Sequence, residues 1–216
     1  MINHIASEYN AFRAEYEVCK NFNFRFNFMA YIPKILAFAG ALRRDSLNKK
    51  AVMIAAKGAE KAGAEVNFIE LKDFPLPLYD GDLETAEGLP ESAIKLQETM
   101  LVHDGFLISS PEYNSGISST LKTYIDWVSR PRGDLRPGAV FAGKYASPGR
   151  LGGIRALPSL RVIISSMGVH VLAEDFSLGE AHEAFNQDGT AKSDFVQNTL
   201  ESLGGNLAKV LVKLKA

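Results

Sequence analysis

The sequence predicts a doubly wound α/β domain: a five-stranded parallel sheet in the order 2-1-3-4-5, with helices on both faces. Three observations carry this expectation. Residues 35–39 (ILAFA) form an apolar run without polar alternation, which suits a strand buried on both sides. A helical pattern follows at once, placing Leu47, Ala51, Ala55, Gly58 and Ala62 near one face. Strand-like and helix-like stretches then alternate to the end of the chain, five of each, which implies right-handed crossovers.

The elements follow in order. Residues 1–32 read differently from the rest, with the alternation Phe22, Phe24, Phe26, Phe28 inside NFNFRFNF. They are expected to be an extension, poorly ordered or adding an edge strand, and the domain proper is expected to cover 33–216. After the first helix, Gly63 punctuates and residues 64–71 (AEVNFIEL) read as the second strand. Residues 73–88 read as a long loop, because Pro75, Pro77 and Gly81 oppose regular structure. The apolar Leu76, Leu78 and Tyr79 in it suggest that it packs on something, such as a second subunit.

Pro90 suits the first position of a helix running to about residue 102. Residues 105–109 (GFLIS) read as a short buried strand. Pro111-Glu112-Tyr113-Asn114 then turns, and a helix is expected to start near 115–118, with Ile117, Leu121, Ile125 and Val128 on one face. Trp127 reads as a packing aromatic on that helix. An irregular connector (RPRGDLRPG) leads to a strand over 139–146, a turn rich in glycine (Ser147, Pro148, Gly149, Gly152, Gly153) and a helix to about residue 166. Residues 169–173 read as the last strand and 191–214 as the final helix.

Composition bounds the function. The chain of 216 residues carries a net charge of −1, which argues against nucleic acid or an anionic membrane as the main partner. No apolar run approaches the length of a membrane helix, and no secretory or transit pattern is evident, so a cytoplasmic location is expected. A single cysteine, Cys19, rules out an internal disulfide and a cysteine metal cluster. His4, His103, His170 and His182 show no ligand spacing.

Three strand-to-helix turns have unusual content, and a 2-1-3-4-5 sheet places all three at its carboxyl edge. Residues 40–48 hold Arg43, Arg44, Ser46 and Asn48 ahead of a helix start, where unpaired N–H groups and the helix dipole favour an anion. Residues 111–114 offer backbone and the Tyr113 ring to a flat heterocycle. Residues 147–153 hold glycines that allow backbone to approach closely. No Walker loop and no G-x-G-x-x-G follows the first strand, and no cysteine lies in the first turn. A mononucleotide such as FMN fits best.

These letters resemble one family. Gly40-x-x-Arg43-x-x-Ser46-x-Asn48 is similar to the phosphate loop G-S-x-R-x-x-S-x-N of the NADPH-dependent FMN reductases, a flavodoxin-like group that includes chromate and quinone reductases. Ser110-Pro111-Glu112-Tyr113-Asn114, followed by Leu121-Lys122 and Ile125-Asp126-Trp127, resembles its flavin-ring loop and the helix after it. Ser147-Pro148-Gly149 with Gly152-Gly153 looks like its third flavin turn, and Leu76-Pro77-Leu78-Tyr79-Asp80 like the loop near a neighbouring subunit's flavin.

The resemblance implies that Gly40, Arg43, Ser46 and Asn48 hold the FMN phosphate. It implies further that Pro111, Glu112, Tyr113 and Asn114 line the isoalloxazine ring, largely through their main chain, and that Ser147 and Gly149 close the site. FMN and NADPH would be the cofactors. The activity would be hydride transfer from NAD(P)H through FMN to a small acceptor, in a homodimer or homotetramer. No side-chain acid or base is required by this reading. The alternatives are a flavodoxin-type single-electron carrier and a truncated homologue without flavin.

Two departures from the family pattern stand out. Ala41 replaces a serine, removing a hydroxyl donor worth roughly 0.5–1.5 kcal/mol. The stretch GKYASPGR is short, so either residues 138–146 are recruited as the strand or about four to five residues are missing against a typical one.

Overall fold

The computed structural model describes residues 31–130, 140–146 and 150–215, with 140–146 as backbone. The expected extension therefore falls almost wholly outside the described residues, as do Ser147 and Gly149. Strand β1 (Lys34–Ala39) leads through the 40–46 corner into helix α1 (Leu47–Lys61). Strand β2 (Glu65–Phe68) is shorter than the expected 64–71, because the chain turns into a 3₁₀ segment at Leu71–Asp73. Leu71 is buried there, and the Tyr124 hydroxyl donates to its carbonyl at 2.5 Å.

The expected loop over 73–88 contains a helix, α2 (Gly81–Glu87). The prolines lie upstream of it, and Asp80 supplies the cap by accepting from the Asp82 N–H at 2.9 Å. Helix α3 (Glu91–Leu101) starts one residue later than expected, with Pro90 in the cap position. Strand β3 (Gly105–Ser110) is buried throughout. Next comes a two-stranded antiparallel ribbon, β4 (Glu112–Tyr113) with β5 (Gly116–Ile117), where a simple turn was expected. Helix α4 (Ser119–Val128) then begins after its Ser118 cap.

Strand β6 (Val140–Ala146) supplies seven residues and pairs with a neighbour on each side, so residues 140–146 are the strand in question. Helix α5 (Ala156–Ser166) follows. Strand β7 (His170–Leu178) runs five residues past the expected end at 173. Glu174 and Asp175 hide its continuation in the sequence, and charge is tolerated there because β7 is an edge strand. A register shift opposite Phe141 and Gly143 bends it further. Helix α6 (Asp194–Lys215) closes the chain.

The main sheet has the order β2-β1-β3-β6-β7, and every pairing in it is parallel. Successive residues of a strand point to opposite faces, and here both faces are apolar. Ile35, Ala37, Ala39 and Leu107 face a layer built from Val52, Ala55 and Ala59 of α1 and Leu207, Ala208 and Leu211 of α6. Leu36, Phe38, Phe106 and Ile108 face Leu96 and Met100 of α3, Leu121, Ile125 and Val128 of α4, and Leu157, Leu160 and Ile164 of α5. Trp127 is fully buried, and its indole N–H donates to the Pro77 carbonyl at 2.8 Å. Among the described residues, no helix is long and apolar enough to cross a membrane.

Candidate functional site

Parallel pairing brings the carboxyl ends of β1 and β3 to the same edge, and with them the 40–46 corner and the β4–β5 ribbon. Three hydrogen bonds fasten these corners to each other. The Gly40 N–H donates to the Ser109 carbonyl at 2.7 Å. The Ser109 hydroxyl donates to Asn48 Oδ1 at 2.8 Å, and the Ser118 hydroxyl donates to the Gly40 carbonyl at 2.6 Å. Ser109, Asn48 and Ser118 are all buried, so none of these bonds competes with bulk water. Gly40 is required by closeness: a Cβ there would lie 2.9 Å from Leu121 Cβ.

In the first corner, Ser46 is the N-cap of α1, its hydroxyl accepting from the Asn48 N–H at 3.2 Å. Arg43 and Arg44 are exposed, and Arg43 Nη2 donates to the Asp45 carbonyl at 2.9 Å, curling the guanidinium over its own loop. So the expected phosphate residues divide in two. Arg43 faces outward, whereas Ser46 and Asn48 are buried and hold the corner's shape. Lys49 was missed by the sequence reading: it is buried in the first turn of α1 and pairs with Glu70 after β2, at 2.5 Å.

In the second corner, Pro111 is buried, while Tyr113, Asn114 and Ser115 are exposed. Tyr113 pairs with Gly116, and the two residues between them are left-handed, with φ of 52° at Asn114 and 64° at Ser115. That is the tight turn whose twist matches a hairpin, built here without glycine. Glu112 reaches away from the tip. Its Oε2 accepts from the backbone N–H groups of Arg155 at 2.8 Å and Ala156 at 3.0 Å.

The third corner is described from residue 150. Gly152 (φ 63°) is buried against the end of β7, where a Cβ would come within 2.6 Å of the Gly179 nitrogen. A Cβ on Gly179 would in turn strike the Arg150 carbonyl. Leu151 and Ile154 project from this turn into solvent.

Residues 75–80 run along α4. Tyr79 meets Trp127 edge to face at 5.1 Å, Arg130 lies 5.2 Å from the Tyr79 ring centre, and the Tyr79 hydroxyl donates to Glu84 at 2.9 Å. That bond, with burial and the Glu84 charge behind it, raises the Tyr79 phenol above its ordinary value, while Arg130 opposes the shift. Beside this segment a groove of about 340 Å³ is lined by Leu42, Pro75, Leu76, Leu78 and Thr120 among others.

The donor set fits FMN. An exposed guanidinium pair before a helix start is the chemistry for a phosphate dianion. A corner with an exposed tyrosine and a left-handed backbone tip, beside the close-packed Gly40, suits a flat ring with a polar edge. Among the described residues, no group of His, Cys, Asp or Glu is arranged to hold a metal.

Fold and topology together define a flavodoxin-like α/β protein. The solved structure of the flavoenzyme NAD(P)H:(acceptor) oxidoreductase FerB from Paracoccus denitrificans is similar, with a TM-score of 0.72 at 28% identity over 84% of this chain and 98% of that one. The family model for NADPH-dependent FMN reductase matches residues 33–183, and the chain belongs to that family. An NAD(P)H-dependent FMN reductase of Pseudomonas aeruginosa is 32% identical over 79% of this chain and 92% of its own length. A quinone reductase of Escherichia coli K12 is 31% identical over 81% and 91%. The chain is accordingly an oxidoreductase whose cofactors are FMN and NAD(P)H.

Proposed function

We propose that this protein is a cytoplasmic NAD(P)H-dependent reductase that passes electrons through FMN to a small organic acceptor of the quinone class. The observation that carries the proposal is the buried chain Asn48–Ser109–Gly40–Ser118, which fastens the cationic corner to the aromatic one. It joins into one cradle two turns whose bonded residues stand 61 to 78 apart in sequence. The names of the Pseudomonas and E. coli relatives support the reaction class.

In this cradle Arg43 and the positive N-terminal end of α1 bind the phosphate, with Ser46 and Asn48 holding that end in place. Gly40 allows the nucleotide close to β1. The main chain of Pro111, Glu112, Tyr113 and Asn114 lines the ring, and Ser147 and Gly149, outside the described residues, are the residues that the family resemblance assigns to closing the site. When bound, FMN supplies the chemistry, accepting a hydride from NAD(P)H and returning two electrons to the acceptor. The protein's part is distance, orientation and exclusion of water, and no side-chain acid or base is assigned. Exposed Leu42 and Leu78 flank the groove along α4, and a second copy of the chain docked there would form a dimer, or a tetramer of two such pairs.

The test is a spectrum followed by turnover. Protein loaded with FMN should carry the visible flavin bands and oxidise NADPH steadily when a benzoquinone is present. A preparation that stays colourless in excess FMN would end the proposal, and bound flavin without turnover would leave an electron carrier instead. R43A should weaken FMN by about tenfold or more, because a charge-assisted bond contributes about 1.5–3 kcal/mol. R43K should not restore it, since an ammonium cannot offer two parallel N–H groups.

A further inference from the structure

The ribbon at the second corner cannot hold itself. Strands β4 and β5 have two residues each, and an isolated hairpin of that size has no stability of its own. Its tip is strained as well, because Ser115 takes a left-handed conformation that glycine would adopt freely. Such a conformation persists only where the surroundings over-determine it. The β5 side is anchored by Ile117, which packs on the core, and by Ser118, bonded to Gly40. The β4 side is anchored by Glu112.

The Glu112 carboxylate spans 43 residues of sequence to reach Arg155 and 44 to reach Ala156, and it accepts both N–H groups on one oxygen. No side chain caps α5 from its own N-cap position at Arg155. Glu112 thus gives the Arg155 N–H a side-chain acceptor, shares the Ala156 N–H with the Gly153 carbonyl at 3.2 Å, and places a negative charge at the positive end of an eleven-residue helix. The turn before α5 is itself braced, because Gly152 lies backbone to backbone against Gly179.

Resting on the FMN reading above, we infer that Glu112 is a positioning residue. Its side chain is spent on the start of α5, where it holds the Tyr113–Asn114 tip in place for the flavin ring without touching the flavin. The second and third corners are joined through this one carboxylate, as the first and second are joined through Ser118. The adjacent Tyr113 presents its ring to the site only as long as that clamp holds.

The test uses the full chain as wild type, E112A, E112Q and E112D. Hydrogen exchange on the flavin-free protein reads the clamp directly. Residues 112–117 should exchange about tenfold faster in E112A, with α1 and α6 unchanged. E112Q should stay within about threefold of wild type, because the amide oxygen still accepts both bonds, whereas E112D is one methylene too short and should loosen the ribbon. If E112A does not fold, E112D carries the measurement.

FMN titration reads the consequence: about tenfold weaker binding in E112A, with E112Q close to wild type. Equal exchange over 112–117 in E112A, or in E112D where that variant carries the measurement, and in wild type overturns the inference. So does FMN binding as poor in E112Q as in E112A, which would mean that the charge itself meets the ligand. Wild type that takes up no FMN would refute the cofactor reading and this inference's flavin half, while the exchange result still decides the clamp.

Discussion

The two faces of the sheet are held by different physics. On one, α1 and α6 touch through glycine: a Cβ on Gly58 would strike the Glu201 carbonyl, and one on Gly204 would strike the carbonyl of Ala55. Alanines supply much of the rest of that layer, beside Val52, Leu207 and Leu211. On the other face α3, α4 and α5 pack larger side chains, and the pieces nearest the site are attached by individual polar bonds. Trp127 holds residue 77, Tyr124 holds residue 71, Ser118 holds the first corner and Glu112 the third. The first face is a scaffold whose stability is shape. The second is an assembly of segments whose placement is bonding, and the proposed site lies where those segments meet.

If that contrast is right, the largest single loss should come from the first face and from the smallest chemical change. G204A adds one methyl where backbone already lies in contact, so the helices must separate along their length. Overpacking typically costs 1–3 kcal/mol, and here no flexible side chain can yield, so about 3 kcal/mol or more is expected. Urea unfolding measures it. A loss under 1 kcal/mol would mean that α1 and α6 can slide, and the scaffold would not be rigid.

On the second face the equivalent cut is S118A. It leaves the Gly40 carbonyl and the Leu121 N–H without the partner that now serves both, at 2.6 Å and 3.1 Å. Loss of an N-cap and of a buried acceptor's partner together costs about 2 kcal/mol. Unlike G204A, it should also weaken FMN, because the two corners are no longer fastened. Calorimetric titration with FMN separates the two variants. Equal FMN affinity in S118A and wild type would show that the corners are placed by packing alone.

The same contrast explains what could be read in advance. The apolar residues 35–39, the α1 spacing and the buried Trp127 were legible because shape-driven packing writes long periodic patterns. The ribbon β4–β5 was not, since two-residue strands are shorter than any period and Asn-Ser is not the Asn-Gly that announces such a turn. Helix α2 was masked by Pro75 and Pro77, although Asp80 was a readable cap. The far half of β7 was hidden by edge charges. In the site, Arg43 and Tyr113 stand out as exposed residues in turns. The jobs of Ser109, Ser118 and the Glu112 side chain depend on partners 43 to 78 residues away, which spacing along the chain does not encode.

A final cut returns to the first face and asks whether charge matters there at all. Lys61 Nζ lies 2.6 Å from Glu201 Oε2 across the α1–α6 seam, and Gln197 donates to the other oxygen at 2.7 Å. The Lys61 bond first, then the Gln197 bond, holds the Glu201 carboxyl below its ordinary value, against a smaller opposing effect of burial. A carboxyl lowered by folding adds stability above its unfolded value, and that contribution fades as pH falls through the folded one. E201Q should therefore cost only about 0.5 kcal/mol at neutral pH, because Lys61 is largely exposed and its charge is screened. The difference from wild type should shrink in 1 M salt and vanish well below the ordinary carboxyl value of 4.5. The seam at Gly204 sits one helical turn from this pair, so the two variants compare shape and charge at one place. A cost for E201Q above 2 kcal/mol that persists in salt would show the pair holding the helices together, and the glycines would then be a consequence of close packing rather than its cause.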